Sequence, residues 1–218
     1  MKRLLVVLVV LLALAAIVLV GGAVLDQRIR AEAEDEAGRR IAEALPIEGT
    51  PIVSIDSFPF VLRVLMDGTV EQLHVSMRSL EQDGIRVDEA RLTIDALELD
   101  RDRLIDEHVL EVVDIDTATV EVWVTGEDIS KVANVPVKIS DGEVSITYQG
   151  KTYSGTVMVS EHAVLVMVDG VPPMLSPLPS YDFLPCEPDL DIDGDRVHVE
   201  CTVEELPPAV ARVLTQHR

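Results

Sequence analysis

Leu4 to Leu25 forms an apolar run of 22 residues without a single charge, and the pattern then changes abruptly. As a helix that run would span about 33 Å, enough for the hydrocarbon core of a bilayer. From there Leu25, Ile29, Ala33, Ala37, Ile41 and Leu45 recur every fourth residue, with Arg28, Arg30, Glu32, Glu34, Asp35, Glu36, Arg39, Arg40 and Glu43 among the rest. This predicts a charged helix over 26–45 with one narrow apolar stripe, able to continue directly from the preceding run. Pro46 and Gly49 stop it.

Period-two alternation takes over afterwards and makes 50–203 β-rich. Leu73, Val75 and Met77 alternate with His74, Ser76 and Arg78; Leu92, Ile94 and Ala96 with Arg91, Thr93 and Asp95; Val120, Val122 and Val124 with Glu121 and Trp123. Further strands are expected at Ile52–Asp56, Ile85–Asp88, Val112–Ile115, Val135–Ile139, Val144–Tyr148, Tyr153–Val159 and Ala163–Val168, with turns at Asp141-Gly142 and Gly150. Strict alternation buries one face per strand, as in an antiparallel meander. Two short helices interrupt it. Pro59 opens one that ends before Gly68, and Thr125 with Asp128 forms a capping pair ahead of Ile129–Ala133. Val171–Pro188 holds six prolines and is neither helix nor central strand. Its Met174, Leu175, Leu178, Tyr181, Phe183 and Leu184 suit a connection packed over the core, or a lip that touches lipid. A hairpin and a helix over 204–215 close the chain, Pro207 and Pro208 fitting the helix's first turn. The fold class is α+β: a transmembrane helix, a long amphipathic helix against an antiparallel sheet, and a C-terminal hairpin and short helix.

Met1-Lys2-Arg3 precedes the apolar run, which keeps the N-terminus cytoplasmic and exports the rest of the chain, although Arg28 and Arg30 dilute the bias. Gly21-Gly22-Ala23 offers a passable cleavage site, but the run exceeds the ~7–15 residues of an ordinary signal peptide. Length therefore favours an uncleaved anchor at 1–25, a single-pass chain with one extracytoplasmic domain at 26–218. Without Lys2 and Arg3 the chain holds 16 basic against 39 acidic residues, a net charge near −23. Such a polyanion does not hold nucleic acid through its phosphates, and it is not drawn to an anionic lipid surface by charge. Any lipid contact is left to apolar surface.

The two cysteines are Cys186 and Cys201. A two-residue turn at Asp193-Gly194 sets Leu190 against Val197 and Cys186 against Cys201, so a cross-strand disulfide is expected, as an exported domain allows. That register also puts Pro188, which has no N–H, at a hydrogen-bonding position. The same stretch satisfies the EF-hand loop pattern with Asp189, Asp191, Asp193, Asp195 and Glu200, so calcium is the metal alternative. An EF-hand needs an entering helix where Pro185 and Pro188 stand, and an acidic hairpin with one buried face shows the same alternation. The hairpin is the preferred reading.

No catalytic signature is present. His74, His108, His162, His198 and His217 occupy no paired metal spacing, and no nucleophile elbow, phosphate loop or dinucleotide turn occurs. His74, His162 and His198 fall at polar strand positions, where a solvent-facing imidazole is the ordinary expectation. No enzyme and no cofactor is expected.

One stretch carries a resemblance. Ser57-Phe58-Pro59-Phe60, followed by Leu62, Leu65, Gly68, Val70, Leu73, Val75 and Gly84, resembles the LmeA-like phospholipid-binding proteins of actinobacteria. The Thr125-Gly-Glu-Asp-Ile129 helix start, Leu184-Pro185 and the Asp193-Gly194 turn agree more loosely, and Ser57 replaces the glycine usual before F-P-F. The resemblance implies a long helix against a curved antiparallel sheet, as in lipid-transfer folds of the bactericidal/permeability-increasing kind. It also implies a phospholipid, of phosphatidylinositol type in the namesake, in an apolar groove between the two. On that reading Phe58, Phe60, Leu62, Leu65, Leu73, Val75, Met77, Leu92, Ile94, Val120 and Val122 line the groove. Aliphatic lining and few aromatics suit flexible acyl chains, each buried CH₂ contributing about 0.8 kcal/mol. The competing reading is a structural or protein-interaction envelope domain whose apolar interior is simply a core.

Overall fold

The structure, a computed structural model, describes residues 2–44, 50–82, 85–107, 109, 111–140, 143–160, 163–167, 174–177, 186 and 188–205, with 2–20, 44, 81–82, 85, 132, 157, 159–160, 163–166 and 174–177 described by backbone alone. One unbroken helix, α1, runs from Lys2 to Ala44, so the expected anchor and the expected amphipathic helix are a single element. Among the residues whose side chains are described, no helix is long and apolar enough to cross a membrane. The apolar run from Leu4 falls largely on the backbone-only stretch.

The elements after α1 follow the alternation closely. They are β1 (Ile52–Asp56), α2 (Phe60–Asp67), β2 (Thr69–Gln82), β3 (Ile85–Leu99), β4 (Val112–Asp114), β5 (Thr117–Thr125), α3 (Gly126–Ala133), β6 (Val137–Ser140), β7 (Glu143–Tyr148), β8 (Lys151–Ser160), β9 (Ala163–Met167), β10 (Met174–Pro177), β11 (Asp189–Asp193) and β12 (Arg196–Val203). Two expected strands, at Ile85–Asp88 and around Leu92–Ala96, are one long strand. The proline-rich segment contributes β10 at a sheet edge, where a proline is tolerated. The expected helix at 204–215 lies beyond the described residues, apart from a bend at Glu204-Glu205.

All pairing is antiparallel. The larger sheet has the order β1-β2-β3-β5-β12-β11, with β4 added to β3; the smaller has the order β10-β9-β8-β7-β6. Alternate residues of the larger sheet form one buried face, continuous through the pairs Val53↔Val75, Val75↔Leu92, Leu92↔Val120 and Val120↔Cys201. Ile139, Val144 and Ile146 of the smaller sheet, and Ile129 of α3, complete the same core. Its residues are aliphatic almost throughout, so the core is held by area rather than by stacking.

α1 meets this core through small residues. Ala33, Ala37 and Ile41 pack against it, and Gly38 lies so close to β1 that a Cβ would sit 3.1 Å from the Pro51 carbonyl oxygen. The expected stripe is correct at these positions and wrong nearer the N-terminus. Leu25 and Ile29 are exposed, and Asp26 is buried in their stead. The reason is a capping contact: the Asp26 carboxylate accepts hydrogen bonds from the Phe60 and Val61 N–H groups, at 3.1 and 2.7 Å. α2 has no side-chain cap of its own, because Pro59 occupies its N-cap. Asp26 supplies one from another helix.

The last hairpin corrects the expected register. Its central turn residues are Gly194 and Asp195, so Asp193 pairs with Arg196 and Leu190 with Val199. Gly194 takes φ +64° at the first turn position, a conformation that glycine adopts without steric cost. The shift is two residues, so the buried face is preserved. The ladder begins at Asp189, which leaves Pro188 outside it and removes the conflict over its missing N–H. Cys186 therefore reaches Cys201 from ahead of the strand, with the Cα atoms 5.9 Å apart in a disulfide.

Candidate functional site

The residues expected to line a groove divide into two groups. Leu73, Val75 and Met77 of β2, Leu92 and Ile94 of β3, and Val120 and Val122 of β5 form one contiguous apolar patch on the inner sheet face. Each is buried, none more than 9% exposed. The period-two pattern brings them together, since residues two apart share a face and antiparallel pairing aligns the faces across strands. α1 contacts β1, α2 contacts β2, and α3 contacts β3 and β5.

The second group belongs to α2. Phe60 is half-buried and packs against the core, and Val64 is buried. Phe58, Leu62 and Leu65 face outward at 62%, 54% and 48% exposure, joined by Met66 at 62%. They do not line the inner patch. Gly38 and Ala37 bring α1 into direct contact with the β1 edge and the core.

Pro59 and Gly68 bracket α2 as its N-cap and C-cap. The Phe58–Pro59 peptide is cis, and Gly68 at φ +70° ends α2, its N–H bonded to the Val64 carbonyl. A Cβ on Gly68 would lie 2.7 Å from the Leu99 carbonyl oxygen, so the spacing from F-P-F to this glycine fixes where α2 gives way to β2. Ser57 is 2% exposed and its hydroxyl has no hydrogen-bond partner among the described residues.

Asp189, Asp191 and Asp193 lie on an exposed edge of the β11–β12 hairpin, with Asp189 opposite Glu200. At about 3.4 Å per residue along a strand they cannot converge as an EF-hand loop does. A different group is invisible in the linear sequence. Glu121, His198 and Glu200 have ligand atoms within 4.8 Å of one another on the outer face of β5 and β12. His198 is not simply solvent-facing: it stacks on Trp123 at 4.5 Å, and its Nε2 lies 3.3 Å from Glu121. The Arg91 guanidinium lies over the same indole, 4.5 Å from its centroid. His198 Nε2 is buried and makes no hydrogen bond among the described residues. The pairing partners of β5 and β12 would have revealed the cluster, but those need the tertiary topology. His74 lies among Gln72, Thr93 and Asp56; His108, His162 and His217 lie outside the described residues.

The profile of the LmeA-like phospholipid-binding family matches residues 24–216. The chain belongs to this family. No curated protein and no solved structure matches. The match starts beside Asp26 and spans both sheets, so it covers the α2 corner and the inner patch together. The family is one of binding proteins, in keeping with the absence of catalytic motifs from the sequence.

Proposed function

We propose that this LmeA-like protein binds a phospholipid without catalysis, with its acyl chains against the inner sheet face and its domain held outside the cytoplasmic membrane by α1. The family match over residues 24–216 carries the phospholipid-binding part of the proposal. The inner face supports it: seven apolar residues on three neighbouring strands offer area without polar groups, which is what an acyl chain needs. These residues are closed to solvent, so lipid access requires the elements packed on the inner face, α2 on β2 among them, to separate from the sheet. That is a movement of apolar contacts, with no buried ion pair on the patch among the described residues.

The same proposal assigns Leu4–Leu25 of α1 to the membrane, with Lys2 and Arg3 on the cytoplasmic side. An anchor matters here because the acidic domain gains nothing from anionic headgroups. A phosphatidylinositol-type headgroup is the one the family resemblance favours.

Residues 24–218, purified without detergent and examined by native mass spectrometry, provide the test. One phospholipid per chain is the expected result. A protein that is always empty, and stays empty after incubation with phospholipid vesicles, leaves the structural or protein-interaction reading in its place.

A further inference from the structure

We propose a second membrane contact: the outward face of α2 lies in the headgroup layer of the leaflet from which α1 emerges. This rests on the transmembrane reading of α1. The return path of the chain places α2 beside the end of the apolar run. Gly38 touches Pro51, Glu34 accepts the Ile55 N–H at 2.8 Å, and Asp26 accepts the Phe60 and Val61 N–H groups. Positions 38, 34 and 26 of α1 therefore meet 51, 55 and 60 in turn, and the chain runs back down the helix by about 18 Å. It arrives one residue beyond Leu25, the last of the apolar run.

α2 sits at that level and is apolar on two sides. Val64 faces the core, whereas Leu62, Leu65 and Met66 share the opposite face with Phe58 before them, each about half exposed or more. On a domain carrying a large negative charge this is an unusual place to leave apolar area in water. Of the two charges on the helix, Arg63 pairs with Glu71 at 2.8 Å and donates to the Phe58 carbonyl, whereas Asp67 is exposed at its C-terminal end. Val24 and Leu25 are also exposed, at 50% and 59%, so apolar surface continues from α1 toward α2. A bilayer surface is the occupant that covers both, because the helix that enters it is the one that caps α2. Interfacial helices bind by burying such a face at the acyl boundary. The contact also sets the end of the inner patch nearest α2 toward the lipid source.

The full chain in phosphatidylcholine vesicles containing brominated acyl chains tests this. In a Trp123→Phe background, Leu65→Trp is expected to show blue-shifted emission that the bromines quench. Glu43→Trp, about 25 Å farther along α1, is expected to be unquenched. If Trp123→Phe unfolds by circular dichroism, the comparison is made with Trp123 retained, as the difference between brominated and plain vesicles. Chains that survive an alkaline wash of the vesicles yet leave Leu65→Trp as unquenched as Glu43→Trp overturn the α2 contact alone. Chains that the wash releases overturn the anchor reading, and the α2 contact with it.

Discussion

Asp26 is a buried carboxylate at the point where an apolar helix meets a folded domain, and its role is to finish another helix. Asp26→Ala removes the acceptor of two N–H groups at the start of α2, and should destabilise the domain by about 1–3 kcal/mol in denaturant unfolding. Stability unchanged within error would mean that water replaces the carboxylate fully. Gly68→Ala is expected to be costly too, roughly 2–4 kcal/mol, because it combines a left-handed φ with a Cβ aimed at the Leu99 carbonyl. Ser57→Ala should act in the opposite sense, gaining about 1 kcal/mol by deleting a buried hydroxyl without a partner among the described residues. These residues are not equally legible in the sequence. Gly68 is readable from its place behind a short helix. Asp26 is not, since its partners lie 34 and 35 residues away and a search for apolar periodicity passes over a charge.

At the scale of elements, local chemistry is plain in the sequence and register is less so. Thr125 caps α3 as its sequence indicates, its hydroxyl accepting from the Asp128 N–H at 3.2 Å. The final hairpin lies where it is expected, but its turn falls one residue later, because Asp193-Gly194 and Gly194-Asp195 are both acceptable turn pairs. The Cys186–Cys201 bond survives either register, and joins residues 15 apart in sequence. Removing it should cost about 3 kcal/mol, read as a lower unfolding midpoint for the Cys186→Ser/Cys201→Ser pair. On α1, hydrogen bonds from Arg39, then Arg40, hold the Glu36 carboxyl below its usual range. A lowered folded pKa contributes stability above the ordinary carboxylate value, and that contribution is lost as pH falls through the folded value. A carboxyl NMR titration should therefore show Glu36 with a depressed midpoint that Arg39→Ala moves upward; an unmoved midpoint would contradict the assignment.

For the molecule as a whole, alternation identifies the buried faces of β2, β3 and β5, but not what covers them. Leu73, Val75, Leu92 and Val120 group correctly because antiparallel strands align like faces. The long helix packs on the sheet as expected, through Ala33, Ala37 and Ile41, but an apolar stripe in a sequence does not show that the strand it meets is the edge strand β1. Phe58, Leu62 and Leu65 stand outside the buried patch for a related reason. Their hydrophobicity is visible in the sequence, but which way α2 turns it depends on a carboxylate from α1. Together these elements make a closed aliphatic interior beside a corner of exposed apolar surface, joined by a helix whose other half has the length of a membrane span.

The central claim is that acyl chains reach the inner sheet face. A phospholipid with a photoactivatable group near the end of one acyl chain, cross-linked to the full chain and mapped by peptide mass spectrometry, reports this directly. Adducts on Leu73, Val75 or Met77 and their neighbours on β3 are predicted, and should be lost when Val75→Trp fills the patch. Adducts confined to α1 and α2, with the sheet peptides unmodified, would contradict it and leave a protein that touches lipid only from outside.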